Sequence, residues 1–195
     1  RAEKYFREHR IRFSEIGGSK NVPLHARDTV ESRYFKVSGY NTAYIRKVGR
    51  AADFHFREIC RKADVQPKSL FTKKIPIRLY KSRKNYLAET GHGEWSGGNT
   101  RIDVGMDKGG LLRIASFHGS GRFMQTILPH EVGHVVFYML TGKKKLPLFL
   151  HEGFAVDCES EVKKEYLRGV LRGFVRINDL IPAGELFDLE NYPDT

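Results

Sequence analysis

Cysteine, tryptophan and long apolar runs are scarce in this chain. It has 2 cysteines and 1 tryptophan in 195 residues. Cys60 and Cys158 allow one disulfide at most. Both lie in stretches of helical pattern, where buried free thiols are the competing reading. No run of eighteen apolar residues occurs, so no membrane-spanning helix is expected. Residues 1–13 are charged throughout and show no secretory leader, though a leader removed ahead of Arg1 would leave no trace. Zinc-finger, RNP-like and P-loop patterns are missing, as are internal repeats, low-complexity segments and interdomain linkers. Acid is the scarcer charge: 23 Asp and Glu face 34 Lys and Arg, a net +11. The cations gather at residues 1–12, 61–84 and 143–145. Such a balance favours an anionic partner such as nucleic acid, an acidic polymer or an anionic membrane surface. The plainer reading is solvated faces, with the lysines at 143–145 complementing a helix end.

What remains reads as one domain over residues 33–195, preceded by an irregular or partly helical lead-in at 1–32. Arg33–Val37 has the aromatic and β-branched content of a strand. Asn41 or Thr42 can cap a helix whose stripe is Ile45, Val48, Ala52, Phe56, Ile59 and Ala63. His55 flanks that stripe as a core-edge residue. Ile75, Ile77 and Leu79 alternate along a second strand, with Pro76 near its start or on an edge. Ser82–Thr90 reads as a short helix and Gly91–Gly98, with His92 and Trp95, as a turn beside a cleft. Strands follow at Thr100–Met106 and Leu111–Phe117, then a loop with His118. The active helix is expected to begin at Arg122 and either to kink at Pro129 or to start there. A third helix is expected at Val162–Leu171, then a mixed tail from Phe174 to Tyr192. Strands and one helix first, then helices only, predicts an α+β fold with a small twisted mixed sheet packed on helices.

Chemistry concentrates at residues 130–134, His-Glu-Val-Gly-His. On a helix, side chains four apart lie one above the other, so His130 and His134 can ligate one ion. Glu131 lies on the adjoining face, within reach of a water on that ion. This is the arrangement of a zinc hydrolase, with two imidazoles and a glutamate general base. A catalytic zinc needs a third protein ligand and an open position. A third His six residues after the second is excluded, because that position is Leu140. A Glu on a following helix is the other common choice, and Glu152 in Leu-His-Glu-Gly-Phe-Ala fits it. Gly142 and Pro147 bracket the turn that would bring Glu152 back to the histidines. Glu159, seven residues on, is expected to project from the same helix face and hydrogen-bond the free nitrogen of a zinc-bound His. Asp157 fits that role less well, and Gly153 is expected to permit close packing near the ion. The competing reading is a satisfied structural His pair.

His-Glu-Val-Gly-His followed by Glu-Gly-Phe-Ala resembles the gluzincins, the thermolysin and aminopeptidase-type zinc peptidases, and is most similar to the bacterial peptidase-MA-like families. The resemblance extends loosely from about residue 30 through the strands and the segment Leu180–Tyr192. It implies a zincin-like catalytic domain, one zinc on His130, His134 and Glu152, Glu131 as general base, and Glu159 as the second acidic residue. It also implies a protein or peptide substrate and an extracellular or periplasmic location. Two departures stand out. The Tyr-bearing helix expected to steady the oxyanion would follow Tyr192, so either the chain is cut short at Thr195 or another residue takes that role. Val104–Lys108 matches the amine-binding strand of the aminopeptidases only weakly, which favours endopeptidase over aminopeptidase activity. The rival from another class is a basic-surface module on the same fold, binding nucleic acid or another anionic polymer with weak or no proteolysis.

Overall fold

Helix α1 (Thr42–Lys62) shows how local chemistry and packing agree. The Asn41 side chain accepts the Tyr44 N–H at 2.9 Å, a cap worth about 1 kcal/mol. Ile45, Val48, Ala52, Phe56 and Ile59 then fall on one buried face, as their spacing predicts. The computed structural model describes residues 28–93, 96–103, 111–119, 123–142, 146–177 and 180–188.

Among the described residues, α1 covers a five-stranded mixed sheet. Its strands are β1 (Asp28–Glu31), β2 (Phe35–Gly39), β3 (Ile75–Tyr80), β4 (Gly98–Asp103) and β5 (Leu111–Phe117), in the order β1-β2-β3-β5-β4. β2, β3 and β5 are parallel neighbours, while β1 and β4 run antiparallel at the two edges. Six further helices complete the described chain: α2 (Pro67–Leu70), α3 (Arg83–Thr90), α4 (Ile127–Thr141), α5 (Leu148–Asp157), α6 (Glu161–Arg176) and α7 (Ala183–Asp188). The fold is therefore α+β.

Several boundaries differ from expectation. Residues 28–31, expected in the lead-in, form edge strand β1. β2 starts at Phe35 rather than Arg33 because the Arg33 and Tyr34 amides both donate to the Asp53 carboxylate on α1, at 2.9 Å each. Helices α1 and α3 lie among the strands where their patterns place them, and α2 is an addition; the parallel pairs β2–β3 and β3–β5 need such crossovers. β3 and β5 match their expected limits, and Pro76 is the second residue of β3. β4 begins two residues early, at Gly98. Residues 104–108, Trp95, Arg122, 143–145 and 189–195 lie outside the described residues.

The main core lies between one sheet face and the pair α1 and α4. Phe35, Val37, Ile75, Ile77, Leu79 and Ile114 of the sheet meet Leu128, Val132, Val135 and Val136 of α4. A smaller cluster of Tyr80, Tyr86 and Ala115 forms beneath α3. His55 is a core-edge residue, its ring Nε2 donating to the Met124 carbonyl at 2.8 Å. His118 accepts the Tyr40 N–H at 3.2 Å and sits among Tyr40 and Tyr44. Both cysteines are free thiols, and burial pushes each up to about 11.

Candidate metal centre

Helix α4 brings its apolar side to the core and leaves a polar seam of His130, Glu131 and His134. Pro129 lies in its first turn, where no intrahelical acceptor is needed for the missing N–H. The helix thus starts two residues before Pro129 and needs no kink there. Gly142 closes α4, its N–H donating to the Tyr138 carbonyl. Pro147 then stands at the start of α5, just outside its first turn.

The return of α5 depends on a glycine inside the motif itself. A Cβ on Gly133 would come within 3.0 Å of the Ala155 Cα and 3.2 Å of the Cys158 Sγ. A side chain there would push α5 back by a few tenths of an ångström, so the glycine lets α5 press against α4 at this point. Gly153, expected to play that part, has open space where its Cβ would be. The sequence signal for Gly133 was present in His-Glu-Val-Gly-His, but helix spacing alone does not tell which face the next helix uses.

The result is a triangle of ligand atoms. His130 Nε2 and His134 Nε2 are 3.1 Å apart, and each lies 3.5 Å from a carboxylate oxygen of Glu152. A tetrahedral ion with bonds of about 2.0–2.1 Å separates its ligands by roughly 3.3–3.4 Å. His130, His134 and Glu152 can therefore hold one metal ion, and they are the group among the described residues with that spacing. His151 is not part of it; its ring packs on Phe137.

Glu159 stands where it was expected to act, by a different route. It is not on the face of α5, because that helix ends at Asp157 with Cys158 as its cap. The chain turns instead, the Glu159 N–H donating to the Val156 carbonyl, and this turn delivers the carboxylate. Glu159 Oε1 accepts the His130 Nδ1–H at 2.8 Å, which leaves Nε2 facing the triangle. Glu159 is 9% exposed and its Oε2 is buried with no hydrogen-bond partner. Asp157 points away and pairs with Lys164 at 3.4 Å.

The opposite wall of the centre is β4, the sheet edge, whereas β5 is interior and cannot border a cleft with a free edge. The Thr100 hydroxyl lies 2.7 Å from Glu131 Oε2 and 3.0 Å from the Glu131 carbonyl. Gly98, two residues away on the same strand face, makes room: a Cβ there would meet Ile127 at 2.6 Å and Glu131 Oε1 at 3.3 Å. Gly97 and Gly98 are held in turn, since Ser116 Oγ donates to the Gly97 carbonyl at 2.7 Å and Ser96 Oγ to the Gly98 carbonyl at 3.0 Å. Buried Tyr86 meets Ser96 Oγ at 2.6 Å. Thr100 and Gly98 were not foreseen, because a strand residue carries no sequence mark of the helix that will pack on it.

Electrostatics separate the three polar residues of α4. Burial pulls the His130 imidazole down, but hydrogen bonds to Glu152 and Glu159 outweigh it and hold it up at about 10. The same carboxylates that favour a proton there favour a cation in its place. Burial pulls His134 down to about 4, leaving it neutral and able to ligate. Burial pushes Glu131 up to about 7, against the pull of His130 and the Thr100 hydroxyl. A carboxyl poised there can both take and return a proton near neutrality. No helix among the described residues is long and apolar enough to cross a membrane. No protein-family model, curated protein or solved structure matches the chain.

Proposed function

We propose that the chain is a zinc-dependent peptidase of the gluzincin type on a zincin-like fold. The observation that carries this reading is the ligand triangle of His130, His134 and Glu152 with buried Glu131 beside it on the same helix. Two neutral-capable imidazoles and one carboxylate suit zinc, and a three-ligand set leaves a position open. His130, His134 and Glu152 would hold the zinc, which would supply Lewis acidity to the reaction. Glu131 would take a proton from a water attacking the scissile carbonyl and return it to the amine as the C–N bond breaks. Thr100 keeps the Glu131 carboxylate against β4. An extended peptide adds to the outer edge of β4 by backbone hydrogen bonds, which sets it across the centre.

The test is metal analysis and cleavage of casein and a peptide library by the parent chain and by Glu131→Gln. One zinc per chain is expected in both, with turnover reduced by roughly 10²–10⁴ in the variant. Full activity in Glu131→Gln would remove Glu131 as the base, and a chain that takes up no zinc would remove the reading altogether.

A further inference from the structure

Several surface cations on this chain face carboxylates. Lys74 lies 3.4 Å from Glu31, Arg78 2.7 Å from Glu89, Arg168 3.1 Å from Glu165 and Arg172 3.6 Å from Glu165. The outer face of α1 instead gathers its cations in one row. Arg46, Lys47, Arg50 and Arg57 are exposed and make no ion pair among the described residues. Arg61 continues the row and pairs with Glu58 at 3.1 Å. With Phe54 these residues fall in a stripe about 100° wide, and Arg46 to Arg61 spans about 22 Å. The stripe lies opposite the buried face of Ile45, Val48, Ala52, Phe56 and Ile59. Phe54, in its middle, is 53% exposed.

Arg46, Lys47, Arg50 and Arg57, without carboxylate partners among the described residues over about 16 Å of one rigid helix, repel one another. An anionic partner removes that repulsion. The type of cation narrows the chemistry: four of the five are arginines, whose planar forks match phosphate oxygens in pairs. The aromatic narrows it again. A lipid surface would need an apolar helix face, and the apolar face of α1 is in the core, with Phe54 the single large apolar residue outside. One flat ring among arginines instead matches an unpaired base between phosphates.

We propose that the outer face of α1 binds single-stranded nucleic acid, its arginines on the phosphodiester backbone and Phe54 stacked on a base. This surface is independent of the metal centre, because α4 meets α1 on the buried side. It would hold the protein on a nucleic acid whether or not the centre hydrolyses peptides.

The experiment is fluorescence anisotropy with labelled oligo(dT) and oligo(U) of about 20 nucleotides, longer than the stripe. A duplex of equal length and phosphatidylserine vesicles serve as further probes. Binding to the single strands is expected, weakening with salt at a log–log slope of about −3 for four to five phosphate contacts. Arg50→Ala with Arg57→Ala should reduce that slope by about 1.4 and weaken binding at least about tenfold. Phe54→Ala should cost at least about fivefold on single strands and little on the duplex. Alanine on an exposed helix face preserves α1, which circular dichroism checks. Arg168→Ala with Arg172→Ala, on the paired cations of α6, should leave affinity within about twofold. The proposal is overturned if the α1 variants bind like the parent, if the α6 variant weakens binding equally, if only vesicles bind, or if no oligonucleotide binds at low salt.

Discussion

The two walls of the metal centre are built from different chemistry. The α5 wall is charged: Glu152 completes the ligand triangle, and Glu159 backs His130 from the turn beyond. The β4 wall is neutral, with Gly98 making room for Glu131 and the Thr100 hydroxyl bonded to it. Charge on one side suits holding a cation. A neutral donor and burial on the other suit a carboxyl that must both accept and release a proton. Under the proposed function, ion binding and proton transfer fall to different walls, and substitutions on the two walls should separate them.

The largest effect is expected from Glu152→Ala. Removing one of three protein ligands should lower zinc affinity by more than about 100-fold, beyond the usual effect of a supporting residue. Zinc content after desalting should fall from about one per chain to a small fraction of that. Retained zinc would mean that another group closes the triangle and that the α5 wall does not supply the third ligand.

Glu159→Gln sharpens the same wall at smaller scale. The amide keeps the shape and can still accept from His130 Nδ1, but it brings no charge. Zinc affinity, followed by chelator competition, should fall roughly 10- to 100-fold. An unchanged affinity would reduce Glu159 to a residue of the turn between α5 and α6.

How these parts were legible in the sequence differs with their range. His130, His134 and Glu131 follow from spacing within one helix, where geometry is fixed at every turn. α1 and its buried stripe were legible for the same reason, as were β3 and β5 from alternation and flanking turns. Glu152 needed one tertiary step, the reversal between α4 and α5, and the pair Gly142 and Pro147 marked it. Helix spacing places Glu159 beside the histidines only if α5 continues past Asp157; the helix stops there, and a turn places the carboxylate instead. β2 starts two residues later than its pattern suggests because Asp53, nineteen and twenty positions away, captures the Tyr34 and Arg33 amides. Gly133 and Thr100 act only through elements that meet them in space, so no local pattern announces them.

Thr100→Val tests the neutral wall and, with it, the separation of the two walls. Valine matches threonine in shape but has no hydroxyl, so the change removes the contact to the Glu131 carboxylate together with the one to its carbonyl. Glu131 is 5% exposed, and little water can replace the lost donor. Folding stability should fall by about 1–3 kcal/mol, the cost of leaving a buried polar group short of a partner. A double-mutant cycle with Glu131→Gln, read by thermal unfolding, should show coupling between the two positions, since each loses its effect once the other is changed. In the zinc-loaded protein, kcat for peptide cleavage should drop roughly tenfold, as for the loss of one bond worth ~1.5 kcal/mol to a charged group. KM and zinc affinity should stay within about twofold, because substrate and ion are held elsewhere. Thr100→Ser restores the hydroxyl and should restore kcat, which a role in packing alone would not do. If Thr100→Val lowers zinc affinity as much as Glu159→Gln, the neutral wall also holds the ion, and the division between binding and proton transfer is lost.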